Sequence, residues 1–329
     1  MMHASRRALD AHRQHWQHGP IDLVIEAWGD AAALERAYAS AWTRFENVLP
    51  ELVSELVSLR SPVDTALCVR GPVAQRMLAA CHPHAAQFIT PMAAVAGAVA
   101  DEVCALFAAE PGVRKAYVNN GGDIALHLRA GESLKVGVIP HPAPRSHQTP
   151  HLHSAADSHS HPQPAPQPLR PAGDVTITST MTARGVATSG WRGRSFSLGI
   201  ADSVTVLAAN AAAADAAATM IANAVNAGHP AIVRAPANSI KDDTDLGSLL
   251  VTVEVPPLPR AVVRRALDAG VVAARALVEA RLIDSALLLL QGETRQTGKQ
   301  AEKQAGKQAE KQAGSALPGV SSAALKLAA

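Results

Sequence analysis

Apolar positions along the chain change their period several times, and each change marks an element. Between residues 31 and 59, Leu34, Tyr38, Trp42, Phe45, Leu49, Leu52 and Leu56 recur at helical spacing, and Pro50 predicts an interruption. Thr90-Pro91 reads as a helix start, Thr as N-cap and Pro at the first helical position. That helix runs on through MAAVAGAVADEVCALFAA, where the small residues predict close approach by a neighbouring element. Tyr117-Val118 and the alternation from Ile124 to Leu128 predict strands on either side of Asn119-Asn120-Gly121-Gly122-Asp123. Val175 and Ile177, then Val204 and Val206, mark further strands. A second small-residue helix is predicted from Ala211 to Val225, closed by Asn226 and Gly228. Val251 to Val255 reads as a strand, and a final amphipathic helix follows Pro256, Pro257 and Pro259. Helices and strands interleave without a strict βαβ rhythm, which predicts an α+β fold.

Three segments fall outside this pattern. Residues 1–17 read as a flexible N-terminus. Residues 140–172 hold nine prolines and six histidines with almost no large apolar side chains, the signature of a disordered insertion. Its histidines (His141, His147, His151, His153, His159 and His161) are open to two readings, a metal role or a tolerated surface insertion. From Gly292 to residue 329 the chain is rich in Lys, Gln and Ala without an apolar face and reads as a disordered tail. One folded domain is therefore expected over residues 18–291, interrupted by the insertion.

Composition narrows the function. At 48% hydrophobic residues and 18% charged, the 329-residue chain has ample material for a core. Ten aromatic residues are too few for a base-stacking surface, and the small excess of positive charge is concentrated after Glu293. The body is near neutral and carries no electrostatic footprint for nucleic acid or for an anionic membrane. Cys68, Cys81 and Cys104 are odd in number and lack CxxC spacing, which points to a reducing compartment. With no secretory h-region and no unbroken apolar run of about 18 residues, the expected location is the cytoplasm.

Three clusters could carry chemistry. In Asn119-Asn120-Gly121-Gly122-Asp123, paired glycines allow positive φ and close approach to a ligand; the same residues also suit a plain hairpin turn. Ala187-Thr188-Ser189-Gly190, beside Arg184, Arg192 and Arg194, supplies donors for a pyrophosphate, or equally an exposed basic loop. Asp215 and Thr219 stand one helical turn apart among alanines, so a carboxylate and a hydroxyl share one face. Two hard oxygens with phosphates and waters would suit Mg²⁺; a solvated Asp and a backbone-bonded Thr is the plainer alternative.

In order, G-G-D-I, V-G-V-I-P, A-T-S-G and S-V-T-V followed by A-D-x-x-x-T resemble the ApbE-like superfamily, whose best-known members are FAD:protein FMN transferases. Longer stretches are similar to the uncharacterised protein family number 0280: residues 18–27 (HGPIDLVIEA), 90–101 (TPMAAVAGAVAD), 185–208 (GVATSGWRGRSFSLGIADSVTVLA) and 245–255 (DLGSLLVTVEV). The resemblance spans the whole predicted domain. It implies an ApbE-like α+β fold, with a mixed or antiparallel sheet and packed small-residue helices.

Carried over residue by residue, the resemblance implies that Asp215 and Thr219 hold Mg²⁺, helped by the backbone carbonyl of Ala96. It places Gly121, Gly122 and Asp123 along a flavin-nucleotide site and matches Thr188, Ser189 and Gly190 to T-S-G; Arg194 of the basic cluster joins them as a cofactor-binding candidate. The chain departs from the transferases in two places. It lacks the Lys of their I-A-K-G-Y-A segment and the H-x-x-D-P motif before S-V-T-V, where only WRGRSFSLGIAD stands. The implied ligands are FAD and Mg²⁺, and two functions stay open. One is transfer of FMN from FAD to an acceptor hydroxyl of an unidentified protein, with Asp202 as candidate base. The other is a non-catalytic flavin- or partner-binding module. Neither reading involves nucleic acid or a membrane.

Overall fold

The computed structural model describes residues 3–10, 13–138 and 173–298. The histidine-rich insertion, its proposed metal role, and the tail beyond Gly298 lie outside the described residues.

The chain begins with strands β1 (Ser5–Ala8), β2 (Arg13–His18) and β3 (Ile21–Gly29). Helices α1 (Ala31–Ser54), α2 (Leu56–Leu59) and α3 (Pro72–Cys81) follow, and a 3₁₀ turn at Pro91–Ala94 leads into α4 (Val95–Ala109). Then come β4 (Val113–Asn120), β5 (Asp123–Leu128), β6 (Ser133–Val138), β7 (Gly173–Thr178), β8 (Gly185–Ser189) and β9 (Ser203–Ala208). The remainder is α5 (Ala211–Ala224), β10 (Val233–Pro236), α6 (Ala237–Ile240), β11 (Leu250–Glu254), α7 (Arg260–Glu279), β12 (Ser285–Leu290) and β13 (Glu293–Gly298).

Nine strands form one sheet in the order β1-β2-β3-β4-β5-β8-β9-β12-β13, with every neighbouring pair antiparallel. The ribbons β6–β7 and β10–β11 stand apart from it. The fold is α+β, as the interleaving of elements predicts. Alternation along β3 turns Ile21, Leu23, Ile25 and Ala27 inward against α1, α3 and α4, where Trp16, Phe45 and Phe107 are fully buried. Further along the sheet Val204, Val206, Ala286 and Leu288 pack under α5 and α7. On the opposite face Leu126, Val186 and Leu207 are covered by Ile177 and Val136 of the β6–β7 ribbon.

Several expectations need correction. Within the expected flexible N-terminus, Ser5–Ala8 and Arg13–His18 are strands of the sheet. Trp16 is wholly buried, with its ring 5.2 Å from Trp42 and 5.5 Å from Phe45, so one aromatic secures a strand that otherwise reads as polar. The domain also does not stop at residue 291. β13 pairs with β12 from Glu293↔Leu290 to Gly298↔Ser285, so the first residues of the expected tail close the sheet. Helix α1 passes through Pro50 and ends one turn later, at Ser54. Thr90 makes no N-cap bond; its hydroxyl donates to Asp245 instead.

The stretch Pro91–Ala109, 19 residues with a mean hydropathy of 1.7, is long and apolar enough to cross a membrane by length and composition alone. In this fold it packs among α1, α3, α5, β4 and β5.

Candidate functional site

The β4–β5 hairpin places three residue types at one end of the sheet. Asn120 is inward and buried, Asp123 opens β5 on the same face, and the tight turn between them needs glycine. Gly121 and Gly122 have φ of +66° and +120°, which side chains resist, and the Gly122 N–H donates to the Asn119 side chain at 2.8 Å. Gly121 has a second reason to lack a side chain. A Cβ there would lie 1.8 Å from a terminal nitrogen of Arg194, so the guanidinium rests directly on the turn.

Helices α4 and α5 supply the other wall. Asn210 caps α5, accepting the Ala213 N–H at 2.8 Å, and the small residues behind it let the two helices touch backbone to backbone. A Cβ on Gly97 would meet the Ala211 carbonyl oxygen at 2.3 Å. This contact sets Asp215 of α5 at the start of α4, where its carboxylate accepts the Gly97 N–H at 3.0 Å, with the Ala96 N–H also directed to it. The Ala96 carbonyl in turn accepts from the side-chain amide of Asn120 at 3.1 Å.

The two halves meet electrostatically. Burial is the largest influence on Asp123 and raises its carboxyl from 3.8 to about 7, against the opposing pull of the Thr188 N–H (3.1 Å) and the Arg194 charge. Burial likewise pushes Asp215 well above the usual carboxylate range, and the neighbouring Asp123 charge pushes it further. Both residues are half-buried, and the protein packed around their carboxyl groups desolvates them. Two carboxylates are thus held close in poorly solvated surroundings, an arrangement that a bound cation relieves.

A cation here would draw on Asp215, the Thr219 hydroxyl and the Ala96 carbonyl. Two N–H bonds leave further lone pairs on the Asp215 carboxylate, and the Ala96 carbonyl already accepts from the Asn120 amide. Thr219 lies one turn after Asp215, half-buried and without a side-chain hydrogen bond among the described residues. Among the described residues no three His, Cys, Asp or Glu side chains gather as a metal cluster. One carboxylate and neutral oxygens, completed by water and phosphate, would suit Mg²⁺.

The sequence-predicted residues divide accordingly. Gly121, Asp123, Thr188, Arg194, Ala96 and Asp215 come together; Gly122 completes the turn and Thr219 extends the Asp215 face. Ser189 ends β8 and Gly190 follows it, closed against the Asp202 carbonyl, where a Cβ would lie 2.4 Å away. Asp202 is held elsewhere: its carboxylate accepts the Gln291 N–H at 2.6 Å and the Trp191 indole N–H at 3.3 Å, and faces Arg192 at 3.6 Å. The sequence reading took Asn120 only as part of the hairpin turn and gave Asp101 no role. Asn120 holds the Ala96 carbonyl, and Asp101 takes the Ala211 and Ala212 N–H groups at 2.9 and 2.8 Å. The signal for Asp101 was an acid amid small apolar residues, and only the partner reveals its use.

The fold and this site define an α+β protein with two neighbouring acidic side chains beside a glycine turn on which an arginine rests. The chain belongs to the family described as AbpE bacteria, whose sequence model it matches over residues 5–296. It is similar to the UPF0280 protein of Methanothrix thermoacetophila, with 32% identity over 216 residues, covering 64% of this chain and 76% of the relative. A UPF0280 protein of Methanopyrus kandleri is 32% identical over 219 residues, covering 66% and 74%. Among solved structures, an ApbE protein from Thermotoga maritima aligns over 92% of this chain and 99% of its own, with 12% identity and a TM-score of 0.38.

Proposed function

We propose that the cleft binds a flavin nucleotide, FAD, together with Mg²⁺. The observation that carries this reading is the placement of Asp215 and Asp123 as a desolvated acidic pair opposite the Arg194 guanidinium and the Gly121 turn. Cation and guanidinium are the two charge types that recognise a pyrophosphate. Asp215, Thr219 and the Ala96 carbonyl would hold Mg²⁺, which when bound supplies charge neutralisation to the phosphate oxygens. Arg194, resting on Gly121, contributes donors, and the uncovered Gly122 lets the ligand approach the backbone.

Binding without transfer is the better supported of the two functions. FMN transfer to an acceptor hydroxyl wants a base, and the carboxylate of Asp202 is committed to Gln291, Trp191 and Arg192. Cys68 is exposed, Cys81 and Cys104 are buried, and none is in a disulfide, which supports a reducing, cytoplasmic setting.

Calorimetry of FAD binding, with Mg²⁺ and with a chelator, tests the reading. Wild type should bind FAD in a Mg²⁺-dependent way, Asp215→Asn should lose that dependence, and Thr219→Val should weaken it less. Equal binding by wild type and Asp215→Asn under both conditions would exclude the metal site. Release of AMP from FAD on addition of a candidate acceptor protein would move the assignment to transfer.

A further inference from the structure

The crossing of α4 and α5 is a closed ring. Asp101 of α4 accepts the Ala211 and Ala212 N–H groups at the start of α5, one on each oxygen, at 2.9 and 2.8 Å. Asp215 of α5 accepts the Gly97 N–H at the start of α4, at 3.0 Å. Gly97 and Asp101 are one helical turn apart, and so are Ala211 and Asp215. Each helix therefore presents a carboxylate, one turn past its own contacted amide, to first-turn amides of the other, donors that lack an i−4 partner within their own helix. No side chain separates the two backbones, because Gly97 has no room for a Cβ.

The two acids differ in what remains free. Asp101 engages both oxygens in the ring and points no donor set into the cleft. Asp215 keeps lone pairs there, beside the Ala96 carbonyl that Asn120 holds at 3.1 Å. The carboxylate of Asp215 rides on α5 and the Ala96 carbonyl on α4, so their separation is the separation of the two helices. We infer that Asp101 is a positioning residue. By clamping the start of α5 to α4, it sets the spacing between the Asp215 carboxylate and the Ala96 carbonyl, the two ends of the cation-binding set. The inference rests on the Mg²⁺–nucleotide reading for its functional meaning, and its structural half stands apart from it.

The test compares Asp101→Ala and Asp101→Asn with wild type in the full chain. Mg²⁺ alone is the calorimetric probe, circular dichroism checks the fold, and NMR follows amide hydrogen exchange at Gly97. Gly97 is the telling reporter because it bonds Asp215 and not Asp101. Asp101→Ala should weaken Mg²⁺ binding by about tenfold, the usual cost of losing an outer partner of a metal ligand. Asp101→Asn should be milder, since its amide oxygen still accepts one N–H, and exchange at Gly97 should quicken in the same order. A cap that serves stability alone leaves Mg²⁺ affinity and Gly97 exchange unchanged in the folded variants, which would overturn the inference. Equal weakening by both variants with unchanged Gly97 exchange would trace the effect to lost charge and overturn it as well. If wild type does not bind Mg²⁺, the reading of the cleft fails by itself, and Gly97 exchange decides the positioning: quickened upholds it, unchanged overturns it. Should Asp101→Ala not fold, Asp101→Asn carries the same comparison against wild type.

Discussion

Replacing Gly97 by alanine sets two physical effects against each other. Helix propensity favours the change by about 1 kcal/mol, because alanine loses less backbone entropy than glycine inside a helix. Against it, the new Cβ would stand 2.3 Å from the Ala211 carbonyl oxygen, 2.5 Å from its carbon and 2.8 Å from the Ala212 nitrogen. These are backbone atoms of α5, which cannot rotate away, so the helices must part by about 1 Å to restore ordinary contact. Overpacking of that kind costs about 1–3 kcal/mol. Parting also stretches the Asp101 bonds to Ala211 and Ala212 and the Gly97 bond to Asp215, each worth about 1.5–3 kcal/mol as bonds to charged groups. The unfavourable effects win, and Gly97→Ala should destabilise the fold by about 3 kcal/mol. In urea unfolding followed by far-UV circular dichroism, that moves the midpoint down by about 1 M, taking a slope of about 3 kcal/mol per M. Gly270→Ala on α7 is the control. Its Cβ would meet only methyl groups of Val225 and Leu288, at 2.3 and 2.7 Å, which can turn aside at smaller cost. A Gly97→Ala protein as stable as wild type, or no less stable than Gly270→Ala, would refute the backbone-contact argument.

Three other perturbations probe the rest of the molecule. Folded Asp123 keeps its proton up to about pH 7 whereas an unfolded Asp loses it near pH 4, so in chelator this group's contribution to stability should fall as pH rises from about 4 to about 7. The melting temperature of Asp123→Asn relative to wild type should therefore increase across that window, and a constant difference would contradict it. Glu102 is buried between Arg44 at 2.7 Å and Arg76 at 3.1 Å and joins α4 to α1 and α3, so Glu102→Ala should cost about 3 kcal/mol in urea unfolding; a loss under 1 kcal/mol would show the network to be dispensable. Ending the chain at Gly292 removes β13 and uncovers β12, so this variant should melt lower and aggregate more readily than one ending at Gly298, by calorimetry and light scattering. Identical melts would show that the edge strand adds nothing.

Local pattern decided much of this molecule. The helical spacing after residue 31, the alanine-rich runs and the short alternating stretches were legible because side-chain period depends on neighbours three or four residues away, or two. The pairing of Asp215 with Thr219 belonged to the same category, since an i, i+4 relation is present in the sequence itself. The polar strand around Trp16 and the closing strand from Glu293 to Gly298 were hidden, because each owes its existence to a partner strand rather than to its own composition. The site divides along the same line. Residue types were visible; their partners were not. Only the tertiary structure set Asp215 beside Asp123, 92 positions earlier, laid Arg194 on Gly121, and let Asp101 and Asp215 close a ring between two helices. The reason is physical. A helix or strand answers to torsional preference and burial on one face, both written over a few residues, whereas a contact across the fold exists only once packing has brought distant backbones together and removed the water between them.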